Sequence, residues 1–268
     1  MSFIIAEIGV NWDGDLSLAE DMMIHAKNSG CDAVKFQAFN KSIIGNHPEY
    51  ERLIKTSISE SNIKKINELS QIIGIEWFCT PMYVEAVDFL DPYVKRFKIR
   101  EFDGRQLLEN KTTNLIEKVL ETGKEVIISS QYSLENSKFY NNPKIKWLYC
   151  VPKYPCSLED LDFSELGKFD GFSNHCPQIV APLSAAILGA EIIEMHITSS
   201  KTKNFFEDNS VGSLRSSYQM IMESESLDLE CKLTKRNGRK LFALIKSIRI
   251  KDENEELIST LLQVLDIT

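Results

Sequence analysis

Short apolar runs alternate with amphipathic stretches along most of the chain. Phe3–Ile8, Ala33–Phe36, Ile75–Cys79, Val94–Ile99, Glu125–Ser129 and Lys144–Val151 each read as a brief strand. A seventh strand ends at Ser173–Asn174–His175, and an eighth runs over Glu191–Ile197. Between them, Ser17–Asn28, Ser59–Ile73, Tyr83–Leu90 and Leu107–Glu121 carry apolar residues at helical spacing. Ser59 is a candidate N-cap, and Gly74 a candidate residue just past a helix end. The segment after Phe36 reads as a polar loop through His47–Pro48. A weak helix is expected over Ser133–Lys138, a helical turn over Leu161–Leu166, and a helix of about a dozen residues after His175. Leu214–Ser226 supplies the eighth helix.

Strands alternating with helices predict a parallel sheet. Eight such units predict an α/β fold closed into a (β/α)8 TIM barrel. An open doubly wound sheet is the competing reading, but no Gly-rich nucleotide fingerprint follows the first strand. Residues 1–227 are assigned to the barrel. Residues 228–268 are assigned to a helical C-terminal extension, because Leu241, Ala243–Leu244 and Ile248, and then Leu257–Leu265, fit helical stripes.

A length of 268 residues fits one such barrel. The net charge of −8 disfavours a general affinity for nucleic acid or anionic membranes. No basic segment precedes the first apolar run and Glu7 interrupts it, so no signal peptide is expected and a cytoplasmic location follows. The apolar stretch near Ile179–Ile193 contains Pro182 and Glu191, which makes it a buried helix and strand rather than a membrane span. Six cysteines without a CxxC pair are expected to be reduced thiols. Cys176 and His175, as neighbours on extended chain, point to opposite sides.

Polar residues gather at the predicted strand ends: Glu7, Lys35 and Gln37, Thr80, Lys98, Ser129 and Ser130, Tyr154, Ser173 and His175, and His196. Parallel αβ folds build their sites on that rim. His175 and His196 lie 21 residues apart, the repeat of one strand–helix unit. Two neutral imidazoles converging from adjacent strands can bind a divalent ion; they can equally pack or cap. Any single lysine at a strand end can be merely solvated. Lys35 and Lys98 with the two serines together have the makings of a phosphate site. Metal, phosphate and carboxylate groups on one rim point to metal-assisted chemistry on a phosphorylated substrate.

The segments IIAEIGVNWDGD, DAVKFQAF, CTP, FKI, EVIISS, LYCVPKYPCSLEDLDF, GFSNHC and AAILGAEIIEMHIT, in that order, resemble the sialic acid synthase (NeuB-like) family over residues 3 to about 215. The resemblance implies condensation of phosphoenolpyruvate with an N-acylated amino sugar aldehyde, giving a nine-carbon 2-keto-3-deoxy acid. It implies Mn²⁺, or another divalent cation, on His175 and His196. Lys35, Gln37, Lys98, Ser129, Ser130, Tyr154, Ser173 and Asn11 would then surround phosphoenolpyruvate and the sugar. Glu7 would act as acid or base near the metal, with Asp208 contacting metal-bound water or sugar, and Asp103 would stand in for the family's glutamate. A homodimer is also implied.

This chain departs from the family pattern at Trp12 and Asp13, at Glu101 in an anion-binding segment, at Asn174 before the first metal histidine, and at Asn209. Its tail is too short for the family's antifreeze-like domain. The exchange at Trp12 predicts an acceptor other than N-acetylmannosamine. Two alternatives stand beside a synthase: an inactive barrel serving as a binding or regulatory subunit, and a related metal-dependent lyase or transferase with another acceptor.

Overall fold

The computed structural model describes residues 2–199 throughout, and of the remainder the strands 226–234, 240–251 and 257–266. Eight parallel strands close into a barrel in chain order. They are β1 (Phe3–Gly9), β2 (Ala33–Ala38), β3 (Glu76–Pro81), β4 (Arg96–Ile99), β5 (Glu125–Ser130), β6 (Ile145–Cys150), β7 (Gly171–Asn174) and β8 (Ile192–His196). The barrel closes where β1 pairs with β8, and the register sets Glu7 beside both Lys35 and His196. The expected (β/α)8 architecture is therefore present. No described helix is long and apolar enough to cross a membrane.

The helices are α1 (Leu16–Asn28), α2 (Lys41–Ile44), α3 (Tyr50–Thr56), α4 (Ile63–Ile73), α5 (Val84–Leu90), α6 (Glu101–Gly104), α7 (Asn114–Glu121) and α8 (Val180–Ile187). Asp15 starts α1 by accepting from the Ser17 N–H at 2.9 Å. Gly74 ends α4 in the left-handed region, as expected. The α4 N-cap is Asn62 rather than Ser59.

Several expectations need correction. The supposed polar loop after β2 contains α2, and α3 follows just past its His47–Pro48 end; Asn40 starts α2 by accepting from Ser42 and Ile43 N–H. The expected Leu107–Glu121 helix is broken: a 3-10 turn covers Arg105–Glu109, Asn110 adopts φ 60°, and Thr113 caps α7 afresh. Ser133–Lys138 is not helical, and Leu161–Leu166 is bracketed by 3-10 turns at Leu158–Asp160 and Leu166–Lys168. The tail is not helical where described. β9 (Ser226–Thr234), β10 (Lys240–Lys251) and β11 (Leu257–Asp266) form an antiparallel sheet in the order β11-β10-β9. Residues 227–233 alternate apolar and polar, the strand period, and that decides what short apolar stripes leave ambiguous. The expected eighth helix lies outside the described residues, except Ser226.

One glycine is dictated by the barrel wall. A Cβ on Gly171 would fall 2.0 Å from the Ile192 carbonyl oxygen on the paired strand. Backbone cannot yield as a side-chain tip does, so Gly171→Ala forces β7 and β8 apart. Overpacking costs about 1–3 kcal/mol, and more against a rigid wall. Gly171→Ala is expected to lower the melting temperature by roughly 5–10 °C or to prevent folding; a melt matching wild type would overturn this account.

Candidate active site

The C-terminal ends of all eight strands converge on a cavity of about 520 Å³. Its floor holds two buried ion pairs. Lys35 Nζ lies 2.5 Å from Glu7 Oε2 and donates to Thr80 Oγ1 at 2.9 Å. Lys98 Nζ lies 2.8 Å from Glu194 Oε1, which also accepts from Ser173 Oγ at 2.9 Å. Lys35 sits 3.9 Å from Glu194 as well, so the pairs form one network. Gln37 Nε2 fixes the other end of Glu7 at 2.8 Å. Burial pushes the Glu194 carboxyl up, but Lys35, Lys98 and the hydrogen bonds from Lys98 and Ser173 outweigh it and hold the group below the usual carboxylate range.

Glu194 is the main residue that sequence reasoning missed. It sits two positions before His196 on β8, and alternate residues of a strand share a face. That period places Glu194 toward the cavity with His196, while its apolar neighbours made it look like part of a core strand.

His175 and His196 stand with ring centroids 5.3 Å apart. His175 Nδ1 lies 2.7 Å from the Val151 carbonyl. A carbonyl only accepts, so Nδ1 carries the proton and Nε2 keeps its lone pair. Burial pushes the His175 imidazole down to about 4, and burial with the neighbouring His175 holds His196 well below its ordinary value. Both rings are neutral at pH 7 and suited to a divalent ion. Tyr154 packs its ring 3.9 Å from that of His175. Among the described residues no group of three metal-ligating side chains occurs. The two imidazoles alone are the described side chains that could hold such an ion, with its remaining ligands to come from elsewhere. Asp208 and Asn209 lie outside the described residues.

The rim also brings Ser129 to the cavity, buried, with an Oγ that has no hydrogen-bond partner among the described residues. Three expected site residues stand apart from the lining. Ser130 Oγ donates to the Tyr132 carbonyl at 2.8 Å. Asn11 is buried and its Nδ2 donates to the Ile197 carbonyl at 2.7 Å, tying the first turn to the end of β8. Asp103 is gripped by Arg100 at 2.6 and 3.0 Å. Trp12, expected beside the sugar, is instead core: it is 1% exposed, and its indole donates to the Thr56 carbonyl. Glu101 brings no uncompensated charge, because Arg105 holds both its oxygens at 2.8–3.0 Å. Asn174 shapes the turn after β7 by bonding the backbone of Cys176. The Cys176 thiol donates to Gln178 Oε1 at 2.7 Å.

The chain is 33% identical over 230 residues to the N,N'-diacetyllegionaminic acid synthase of Legionella pneumophila, covering 75% of this chain and 65% of that one. It is 30% identical over 235 residues to the N-acetylneuraminate-9-phosphate synthase of Mus musculus, with 75% and 63% covered. It therefore spans just under two thirds of the length of these curated relatives. Among solved structures, the N-acetylneuraminic acid (sialic acid) synthetase of Leptospira borgpetersenii, in complex with citrate, superposes with a TM-score of 0.70 at 29% identity, covering 83% of this chain and 82% of that one. Residues 22–233 match the NeuB family, and they include every strand of the barrel after the first together with both histidines and Glu194: this chain belongs to the NeuB family.

Proposed function

We propose that this chain condenses phosphoenolpyruvate with an amino sugar aldehyde to a 2-keto-3-deoxy sugar acid. The observation that carries this reading is the pair of neutral imidazoles sharing one cavity with the Lys35–Glu7 and Lys98–Glu194 pairs. On the floor, two lysines and two glutamates balance in charge. A multiply charged phosphoenolpyruvate entering that balanced, buried floor needs added positive charge, and a divalent ion held by His175 and His196 would supply it. Such an ion would also polarise the acceptor carbonyl.

The chain's own groups do the rest. Lys35, Lys98, Ser129 and Ser173 hold the phosphate and carboxylate of phosphoenolpyruvate. Its alkene carbon attacks the acceptor aldehyde, forming the new C–C bond. Water adds at C2, and the C2–O bond to phosphate breaks, releasing inorganic phosphate and leaving the 2-keto acid. Glu7, which Gln37 and Lys35 orient, is the group proposed to receive the proton of the adding water. Two of the three motives for the inactive-barrel alternative fall away, since Glu101 is neutralised by Arg105 and Trp12 lies in the core; the third, the tail too short for a cap domain, is untouched by them.

Phosphate release from phosphoenolpyruvate across a panel of amino sugars and plain aldoses, with Mn²⁺, tests the proposal. Release that depends on an acceptor is expected; none with any aldose would return the chain to a binding role. Ser129→Ala gives a finer check. Its hydroxyl bonds nothing among the described residues, so the melting temperature should be unchanged. Hydrogen bonds to charged groups contribute about 1.5–3 kcal/mol, so affinity for phosphoenolpyruvate by calorimetry should fall roughly tenfold or more. Undiminished affinity would remove Ser129 from the anion site.

A further inference from the structure

The strand pairing of β8 stops at the residue that carries the second imidazole. Its last partner on β7 is Asn174, opposite Met195, and its last partner on β1 is Glu7, opposite His196. Both peptide groups that follow His196 are nevertheless bonded. The Ile197 N–H donates to the Glu7 carbonyl at 2.9 Å, and the Ile197 carbonyl accepts from Asn11 Nδ2 at 2.7 Å. Asn11 thus extends the hold on β8 past the end of the ladder. It comes from the strand that supplies Glu7. Beyond Glu7 the register of β1 with β2 shifts, and Gly9 adopts φ 54°, which favours glycine. The chain then turns, with the Asn11 N–H donating to the Ile8 carbonyl at 2.9 Å. One side chain therefore ties the segment carrying Glu7 to the segment carrying His196.

Asn11 is fully buried and does not line the cavity. Its Oδ1 has no hydrogen-bond partner among the described residues. A buried amide that makes one bond and leaves its acceptor unmatched is a poor stabiliser, because the desolvated oxygen offsets the bond gained. An apolar side chain of similar size would serve folding about as well. It could not hold the Ile197 carbonyl in place.

We propose, resting on the metal site and the condensation above, that Asn11 is a positioning residue: it fixes the end of β8 so that His196 keeps its aim and its spacing from Glu7. It acts through these two residues rather than on substrate. Groups that orient a metal ligand from behind set metal affinity by about 10- to 100-fold.

Asn11→Leu keeps the volume and removes the donor. Its melting temperature is expected to stay within about 5 °C of wild type, while its Mn²⁺ dissociation constant by calorimetry rises about 10- to 100-fold. At saturating Mn²⁺, kcat should fall roughly tenfold or more, with the KM for phosphoenolpyruvate unmoved, since Lys35, Lys98 and Ser129 are untouched. Ile66→Val, in the buried face of α4, is the control for stability alone: it should lower the melting temperature and leave Mn²⁺ affinity as it was. Asn11→Ala is read in the same way if leucine prevents folding. Unchanged Mn²⁺ affinity in a folded Asn11 variant, an unchanged kcat at saturating Mn²⁺, or equal weakening in Ile66→Val overturns the proposal. So does a chain that folds with neither substitution, which would make the amide a folding element. A wild-type chain that binds no Mn²⁺ overturns the metal site and the positioning role together. Weakened Mn²⁺ binding in Asn11→Leu, beside a wild type that releases no phosphate, supports the positioning role and overturns the condensation instead.

Discussion

Glu194→Ala is expected to destabilise the chain by about 3–5 kcal/mol and to abolish turnover. Glu194 and Lys98 are each about 96% buried as side chains, and their 2.8 Å contact joins one of the two ion pairs of the floor. Removing the carboxylate strands Lys98 without a counter-charge and leaves Ser173 Oγ without its acceptor. The loss is larger than the worth of the pair, because an unpaired buried ammonium keeps its whole desolvation penalty. For a domain of this size the melting temperature should fall on the order of 10 °C. The double variant Glu194→Leu with Lys98→Met separates charge from volume. Replacing both partners removes the stranded charge, so much of the lost stability should return while turnover stays absent. A single variant as stable as wild type, or a double variant no better than the single one, would contradict the assignment of this pair as the floor's electrostatic anchor.

That anchor also shows how far the sequence could be read. The strand ends were legible because each breaks an apolar run with a polar residue, as Lys35, Lys98 and Ser129 do, and a barrel gathers all such ends on one rim. Glu194 broke the same rule quietly. It lies inside a run whose neighbours are apolar, and only the two-residue period shared with His196 sets it toward the cavity. Ser130 and Asp103 stand apart from the lining for a related reason. Each lies close to a residue that lines the cavity, and a shift of one or a few residues turns a side chain to a local partner, Tyr132 for one and Arg100 for the other. Trp12 lay beyond pattern reasoning because its partner, the Thr56 carbonyl, comes from a helix that the polar composition of residues 40–56 concealed. In the tail, Leu241, Leu244 and Ile248 satisfy a helical stripe and also fall within one strand, so short apolar spacing alone could not decide.

Loss of one imidazole is expected to remove metal binding altogether: His196→Ala should reduce Mn²⁺ from about one ion per chain to none at equal free metal. Two protein nitrogens are the described donors, and a single imidazole with waters holds such an ion too weakly to survive dialysis. The pH dependence is the sharper consequence. Burial lowers His175 to about 4 from an ordinary 6.5, and lowers His196 in the same direction. The folded rings therefore stay unprotonated at pH 5.5, where exposed histidines are largely charged, and protons should not compete with the metal until the pH nears 4. The metal-free chain shows the other side of the linkage. Between pH 6.5 and 4 the unfolded chain binds protons on these two histidines and the folded chain does not, so unfolding gains as pH falls. Their contribution is complete above 6.5 and is lost as the pH drops through that window; His196→Ala should make the decline shallower. Metal content after dialysis and urea unfolding, both measured from pH 7 to pH 4.5, check the two halves together. Metal loading that halves near pH 6.5, or a His196→Ala chain that keeps its full metal content, would show that the buried pair is not the ligand set.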